Sequence, residues 1–559
     1  MTASLTTSKR FSERTADPDL LSLPGDKLLQ RILDGENPGE LVRNLPAEDL
    51  FWIIKRIGAE ESLALLEVAS EEQWQYLVDL DVWRKDLLSP EKALAWLKLL
   101  AEANPEKLAV WLFEEEQTFL TLLLFRMAEV IIKGEEDNTD LPNTWFTLDG
   151  RFYIKAFHEE DQETIEELLS ILGKNDHEEY QELLFGLAAL SPTEAEEELY
   201  RLRNNRIAEH GFLPFAEAIA VYAPLAVSAL ETETPPLPPG KLVYHGENEL
   251  LPTLPLLQIE KESLLALSFS RISDPLLFDR ISLEFADLAN RIIAAGNFPE
   301  LSDPDILAAS CKQAAGYLNI ILERLCGKDS ATAEKILRSH SLLTLFRTGY
   351  GIAVNLQREA KRWRQESWFF GQGWKNEFWG SPWGDTLDGL LWERPRFFAG
   401  DKNNEPFKEF VSIEELDDAR EQLRMMQALD RLLARLSPVS RDDQFRLAER
   451  TDVHSLLFTR WAHKILDGGQ SFAPLSRSDA GRFFHSLRQG EEHPPYRMLS
   501  YKNLFINAFL EGAPDFEPDA ANALRAALEL IWEEFSEEYK NIAENDLEGR
   551  YSPFLLIAL

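Results

Sequence analysis

Residues 45–57 read Leu45-Pro46-Ala47-Glu48-Asp49-Leu50-Phe51-Trp52-Ile53-Ile54-Lys55-Arg56-Ile57. Leu50, Ile53, Ile54 and Ile57 fall at i, i+3, i+4 and i+7, the spacing of one apolar helix face. Ala93, Trp96, Leu97 and Leu100 repeat that spacing, as do Leu108, Trp111 and Leu112. Each run opens alike: Pro46-Ala47-Glu48-Asp49, Ser70-Glu71-Glu72, Ser89-Pro90-Glu91 and Asn104-Pro105-Glu106. A capping side chain or N1 proline followed by acids suits the free amides and positive dipole of a helix start. Starts near 45, 58, 70, 89 and 104 make a degenerate helical repeat without a fixed period. Helices this short cannot bury an apolar face alone, so residues 21–135 are expected to stack as a solenoid-like body.

Outward from this body the pattern changes. Residues 1–20 are Ser/Thr-rich, carry Lys9, Arg10 and Arg14, and lack the apolar run of a secretory signal; they read as a flexible tail. Trp145–Leu148, Asp149-Gly150 and Arg151–Ile154 predict a β-hairpin with a type I′ turn. It opens a 136–230 region whose helices are strongly acidic: His158 to Glu198 holds 14 acids against Lys174. Glu163, Glu166, Glu167, Glu178, Glu179 and Glu182 read as a solvated face, with a Mg²⁺ or basic-partner surface as the alternative. Residues 231–258 contain Pro235-Pro236-Leu237-Pro238-Pro239, Pro252 and Pro255 and read as an extended linker, or as a ligand for a polyproline-binding domain. Helical patterning resumes over 259–559. The expected fold is mostly α: stacked short helices, a second helical body and one small hairpin.

Two resemblances follow. Residues 45–100, with their Leu-Pro-Ala-Glu-Asp-Leu opening, resemble the helical N-terminal cytoplasmic domain of MgtE-type magnesium transporters, without that family's transmembrane bundle. This resemblance implies a shared helical architecture, and by analogy Mg²⁺-responsive regulation. The whole chain resembles an uncharacterised bacterial protein family of unknown function, through Glu72-Gln73-Trp74-Gln75-Tyr76-Leu77, Trp83-Arg84-Lys85-Asp86 and Tyr200-Arg201-Leu202-Arg203-Asn204-Asn205-Arg206. That resemblance implies a bacterial source and no particular activity.

Net charge is −38, from 58 Lys+Arg against 96 Asp+Glu, which disfavours phosphate backbones, so no nucleic-acid partner is expected. Cys311 and Cys326 lie about 22 Å apart if one helix carries both, too far for a disulfide; reduced thiols point to the cytoplasm. The most apolar stretch, Leu213–Leu230, is broken by Pro214, Glu217 and Pro224, so no transmembrane segment is expected.

Six of the 14 tryptophans fall within Trp363–Phe398, with glycines at 371, 373, 380, 384 and 389. The glycines suggest a long aromatic loop. It reads as pinned to the helical body by buried tryptophans, as a partner-binding surface, or as a membrane-interface insert. Upstream, Arg358, Lys361 and Arg362 share one helix face. They fit phosphate or single-stranded nucleic acid, or complement the end of their own helix. The candidate binding residues are Trp368, Phe369, Trp374, Trp379, Trp383, Arg358, Lys361 and Arg362, with Trp368 and Trp379 as anchors and the cations steering an acidic partner. Arg201, Arg203 and Arg206 read as surface or ion-pairing groups.

His454 and His463 stand nine apart on one expected helix, facing opposite ways, so they share no metal; His454 aligns with Phe458, Trp461 and Ile465 on the apolar face. No catalytic, phosphate-loop or metal-ligand motif appears, and no cofactor is expected. The leading expectation is a cytoplasmic interaction or scaffold protein with a protein partner. The alternatives are an enzyme with an inter-domain cleft using His485 and His493, and a Mg²⁺-responsive regulator.

Overall fold

The computed structural model describes residues 23–84, 86–134, 141–187, 190–230, 252, 254–296, 305–400, 406–436, 451–488, 493–496, 498–542 and 554–558. The expected tail (1–20) and the proline cluster of the expected linker lie outside them. The chain divides into two compact units, Met1–Thr348 and Gly349–Leu559. The fold is mostly α, with three small two-stranded antiparallel sheets among the described residues: β1 (Trp83–Arg84) with β2 (Leu87–Leu88), β3 (Ala128–Ile132) with β4 (Phe152–Ala156), and β5 (Phe397–Phe398) with β6 (Phe407–Lys408).

The first unit opens with α1 (Gly25–Leu33), α2 (Pro38–Asn44), α3 (Ala47–Ile57), α4 (Leu63–Val68), α5 (Glu71–Asp81), α6 (Pro90–Ala103), α7 (Pro105–Glu114) and α8 (Gln117–Met127). Most pack on the helix two places ahead: α1 on α3, α2 on α4, α3 on α5, α4 on α6, α6 on α8. The buried faces are those spelled by the periodicity, with Leu50, Ile53 and Ile54, then Trp96, Leu97 and Leu100, all 4% exposed or less. Ser70 and Gln73 close a reciprocal capping box at the start of α5. The Gln73 amide also donates to the carbonyls of Val42 (2.8 Å) and Leu45 (2.7 Å), tying α5 to the end of α2.

Helical structure was expected to run to about Ile132, but β3 (Ala128–Ile132) pairs antiparallel with β4 (Phe152–Ala156). Val130, Ile131 and Ile132 are β-branched and prefer the pleated ribbon. The expected hairpin is therefore displaced. Phe146 does bridge Ile154, with N···O distances of 3.0 and 2.9 Å, but 145–148 forms no strand. The turn is not type I′, because Gly150 (φ +73°) alone takes a positive φ there. Asp149 instead accepts the amides of Arg151 and Phe152, so its carboxylate, not its backbone, shapes the loop.

The acidic region forms α9 (Gln162–Asn175), α10 (His177–Gly186) and α11 (Pro192–Ala208). Glu163, Glu166, Glu167, Glu178 and Glu182 are exposed, whereas Ile165, Leu168, Leu169, Leu183 and Leu184 are buried. Longer helices complete the unit, notably α12 (Pro275–Gly296) against α13 (Asp305–Cys326), which carries both cysteines as free thiols.

Helix α14 (Leu342–Glu366) leads into the second unit, followed by α15 (Trp368–Gly371), α16 (Trp383–Leu391), α17 (Ile413–Leu436), α18 (Val453–Asp467), α19 (Leu499–Leu510) and α20 (Pro518–Tyr539). Its core is aromatic. Phe458 contacts Trp461, Phe505, Trp532, Phe535 and Phe554, the closest ring centroids being 4.0 Å apart. Phe554–Ile557 is buried, and Leu475 exchanges backbone hydrogen bonds with Leu556 and Ala558.

Candidate functional site

Along the second half of α14, Leu356 and Ala360 face the core while Asn355, Arg358, Lys361, Arg362 and Gln365 stand exposed. Their spacing of three and four residues makes one polar stripe. With Glu359 they line an open cavity of about 660 Å³. Arg358, Lys361 and Arg362 form no ion pair among the described residues, so three positive charges face solvent together. Arg364 points the other way: it donates to Asn376 (3.1 Å), which donates to Asp388 (2.6 Å), and lies over the Phe370 ring.

The stretch beyond is not a loop. After α14 ends at Glu366 it folds as α15, a 3₁₀ turn Asn376–Trp379, α16 and the strand Phe397–Phe398. Gly384 and Gly389 lie inside α16, where a Cβ would stand 2.6 Å from the carbonyl oxygens of Asn376 and Arg396. These glycines allow close packing inside a helix, a role that sequence cannot separate from helix breaking. Asp430 of α17 accepts the amides of Trp368 and Phe369 at 3.0 Å each, capping α15 from another helix. Burial raises the pKa of this carboxyl, and the two amides work against that rise.

The structure brings the three expected cations together at the surface and takes most of the expected aromatics inside. Phe369 and Trp379 are 0% exposed, Trp383 4% and Trp374 9%. Trp379 meets Trp363, Phe369 and Phe378, and Trp374 stacks on Phe378. Trp383 stacks on His454, whose Nε2 lies 3.1 Å from Glu534. Trp368 is partly exposed, and the large aromatics in the open here are Phe370 and Trp392. The Trp392 carbonyl is held by Gln357 of α14. His485 and His493 are exposed.

A second constellation, in the first unit, left no local signature. Asp79 of α5 receives a two-pronged hydrogen bond from Arg206 (2.7 and 2.8 Å), and Arg206 also lies 3.6 Å from Glu116. One turn on, His210 meets Glu48 at 2.7 Å beside the Tyr76 ring. Helix α11 buries few apolar side chains (Ala195, Leu199, Ile207), so these pairs, with Glu196–Arg126 (2.6 Å), hold it in place. Burial opposes the charge on Arg206, but the hydrogen bonds and charge of Asp79 more than offset it. Burial likewise lowers the pKa of His210, and Glu48 more than restores it.

Glu116 has the poorer share of Arg206. Burial lifts its pKa to about 7, Arg206 pulling it down and Asp79 and Glu115 adding to the rise. A carboxyl raised in the folded state contributes stability that is full below its unfolded pKa and is lost as pH climbs through the folded value. The chain should therefore lose roughly 3 kcal/mol relative to Glu116→Gln as pH rises from about 4.5 through 7. Urea unfolding of both proteins at several pH values reads this; a constant difference would place Glu116 in contact with water.

Among the described residues no helix is long and apolar enough to cross a membrane, and no group of three or more His, Cys, Asp or Glu is placed to hold a metal ion. The fold thus defines a mostly α protein of stacked helices and an aromatic-cored helical unit. A family model matches residues 6–558, and the chain belongs to that family of unknown function, DUF6178. No curated protein and no solved structure gives a significant match. The likeness of residues 45–100 to the magnesium-transporter domain finds no support: stacked short amphipathic helices share their leucine pattern whatever their ancestry.

Proposed function

We propose that the protein is a cytoplasmic interaction protein that binds an acidic partner along the exposed face of α14. The observation carrying this reading is the stripe of Arg358, Lys361 and Arg362 beside an open cavity, free of ion pairs among the described residues, in a chain of net charge −38. Arginine and lysine that face solvent without an ion pair among the described residues, though Glu359 lines the same cavity, keep their charge available for an incoming carboxylate. The buried aromatic segment supports the reading by holding the stripe rigid through Gln357–Trp392 and Arg364–Asn376, which lowers the ordering cost of binding.

The test is fluorescence anisotropy of a labelled polyglutamate peptide titrated with the full chain. Binding should weaken with added salt, and Arg358→Glu with Arg362→Glu should weaken it by about tenfold or more. Equal binding by that variant would sink the proposal.

A further inference from the structure

The cationic stripe of α14 carries one acid. Glu359 lines the cavity together with Arg358, Lys361 and Arg362, and its neighbour at i+3 on the helix is Arg362. An acid and a base at that spacing can pair across one turn. They do not pair in this helix: among the described residues neither Glu359 nor any of the three cations forms a salt bridge. The Glu359 carboxylate is bonded instead by the Gln427 side chain of α17, whose Nε2 donates to Oε1 at 3.4 Å. An amide carries no charge, so Gln427 helps to place the carboxylate without neutralising it.

Three positive charges and one negative charge therefore share one face. Asn355 and Gln365, the polar ends of that face, stand about 15 Å apart along the helix, room for about five residues of extended chain. Arg358, Lys361 and Arg362 are exposed and Glu359 is half-buried among them, so a segment engaging all three cations also meets the acid. A chain with an anion at every position satisfies the cations and sets one of its own charges against Glu359. Like charges brought together at an interface cost affinity, and a cost that falls on one class of partner alone discriminates against it. A segment whose acids are interrupted by a base complements all four charges.

We propose that Glu359 sets the specificity of this face, selecting a short polypeptide segment in which acidic residues flank a lysine or arginine. Uniformly acidic chains and nucleic acid, which offer no cation to Glu359, bind more weakly. The selection rests on α14 being a partner-binding face.

Three labelled peptides titrated with the full chain test this by fluorescence anisotropy. They are identical runs of glutamate around one central residue, which is lysine, glutamine or glutamate. Wild type should bind the lysine peptide about threefold or more tighter than the glutamate peptide, with the glutamine peptide between them. A single-stranded DNA oligomer should bind more weakly than the lysine peptide. Glu359→Gln, which keeps the shape of the side chain, should level the ranking by raising affinity for the glutamate peptide. Glu359→Lys should reverse it, whereas a preference arising only from the net charge of the chain would survive both changes. Circular dichroism confirms that each variant is folded. Equal binding of the three peptides by wild type, an unchanged ranking in the folded variants, or tighter binding of the DNA overturns the proposal. If peptide binding is then still lost in Arg358→Glu with Arg362→Glu, α14 stands as the partner face and only the role of Glu359 falls. No binding of any peptide by wild type ends both readings.

Discussion

Replacing Trp379 with alanine should cost about 3–5 kcal/mol of stability, the range for emptying an aromatic site in a packed core. Trp379 is fully buried against Trp363, Phe369 and Phe378, leaving little freedom for the site to collapse. Its indole N–H finds no acceptor among the described residues. Trp379→Phe therefore loses volume but no hydrogen bond, and should cost under about 2 kcal/mol. By contrast, Arg358→Glu on the exposed stripe should stay within about 0.5 kcal/mol of wild type. Urea denaturation of the three variants separates the roles. A Trp379→Ala protein as stable as wild type would show that this ring contributes nothing to the core and would reopen its assignment as a partner anchor.

Arg206→Met should destabilise the first unit by about 3 kcal/mol, through the groups it leaves behind. Asp79 and Glu116 are 4% and 8% exposed at their side chains, and both would lose their guanidinium in the interior. The methionine covers similar apolar surface, so the loss is electrostatic. Adding Asp79→Leu and Glu116→Gln should recover most of it, because a buried ion pair replaced as a unit is far less costly than one broken in half. Thermal and denaturant melts of the single and triple variants check this. Equal damage in both would mean that the cost lies in losing the ion pair itself and not in leaving Asp79 and Glu116 without a partner.

The helices of the first unit were legible because each carries its own information. The 3.6-residue period of Leu50, Ile53, Ile54 and Ile57, the Ser70–Gln73 box and the prolines at 46, 90 and 105 act within a dozen residues of chain. The single cationic face of Arg358, Lys361 and Arg362 was legible for the same reason. The 128–132 strand was missed where a short apolar run met a helical context, since such a run fits either period.

What lay beyond local reading was every choice that depends on a distant partner. Composition predicted an aromatic loop over 363–398; Asp430 from another helix caps α15 there, and Gly384 inside α16 lets the Asn376 carbonyl pack against that helix. Nothing within Tyr200–Arg206 reveals that Arg206 meets Asp79, 127 residues earlier. Periodicity and capping are short-range consequences of backbone geometry and determine which segments become helices. Which tryptophans are buried, which glycines are contacts and which charges are paired depends on surfaces that exist only once those helices have packed, because burial and Coulomb energy act between neighbours in space.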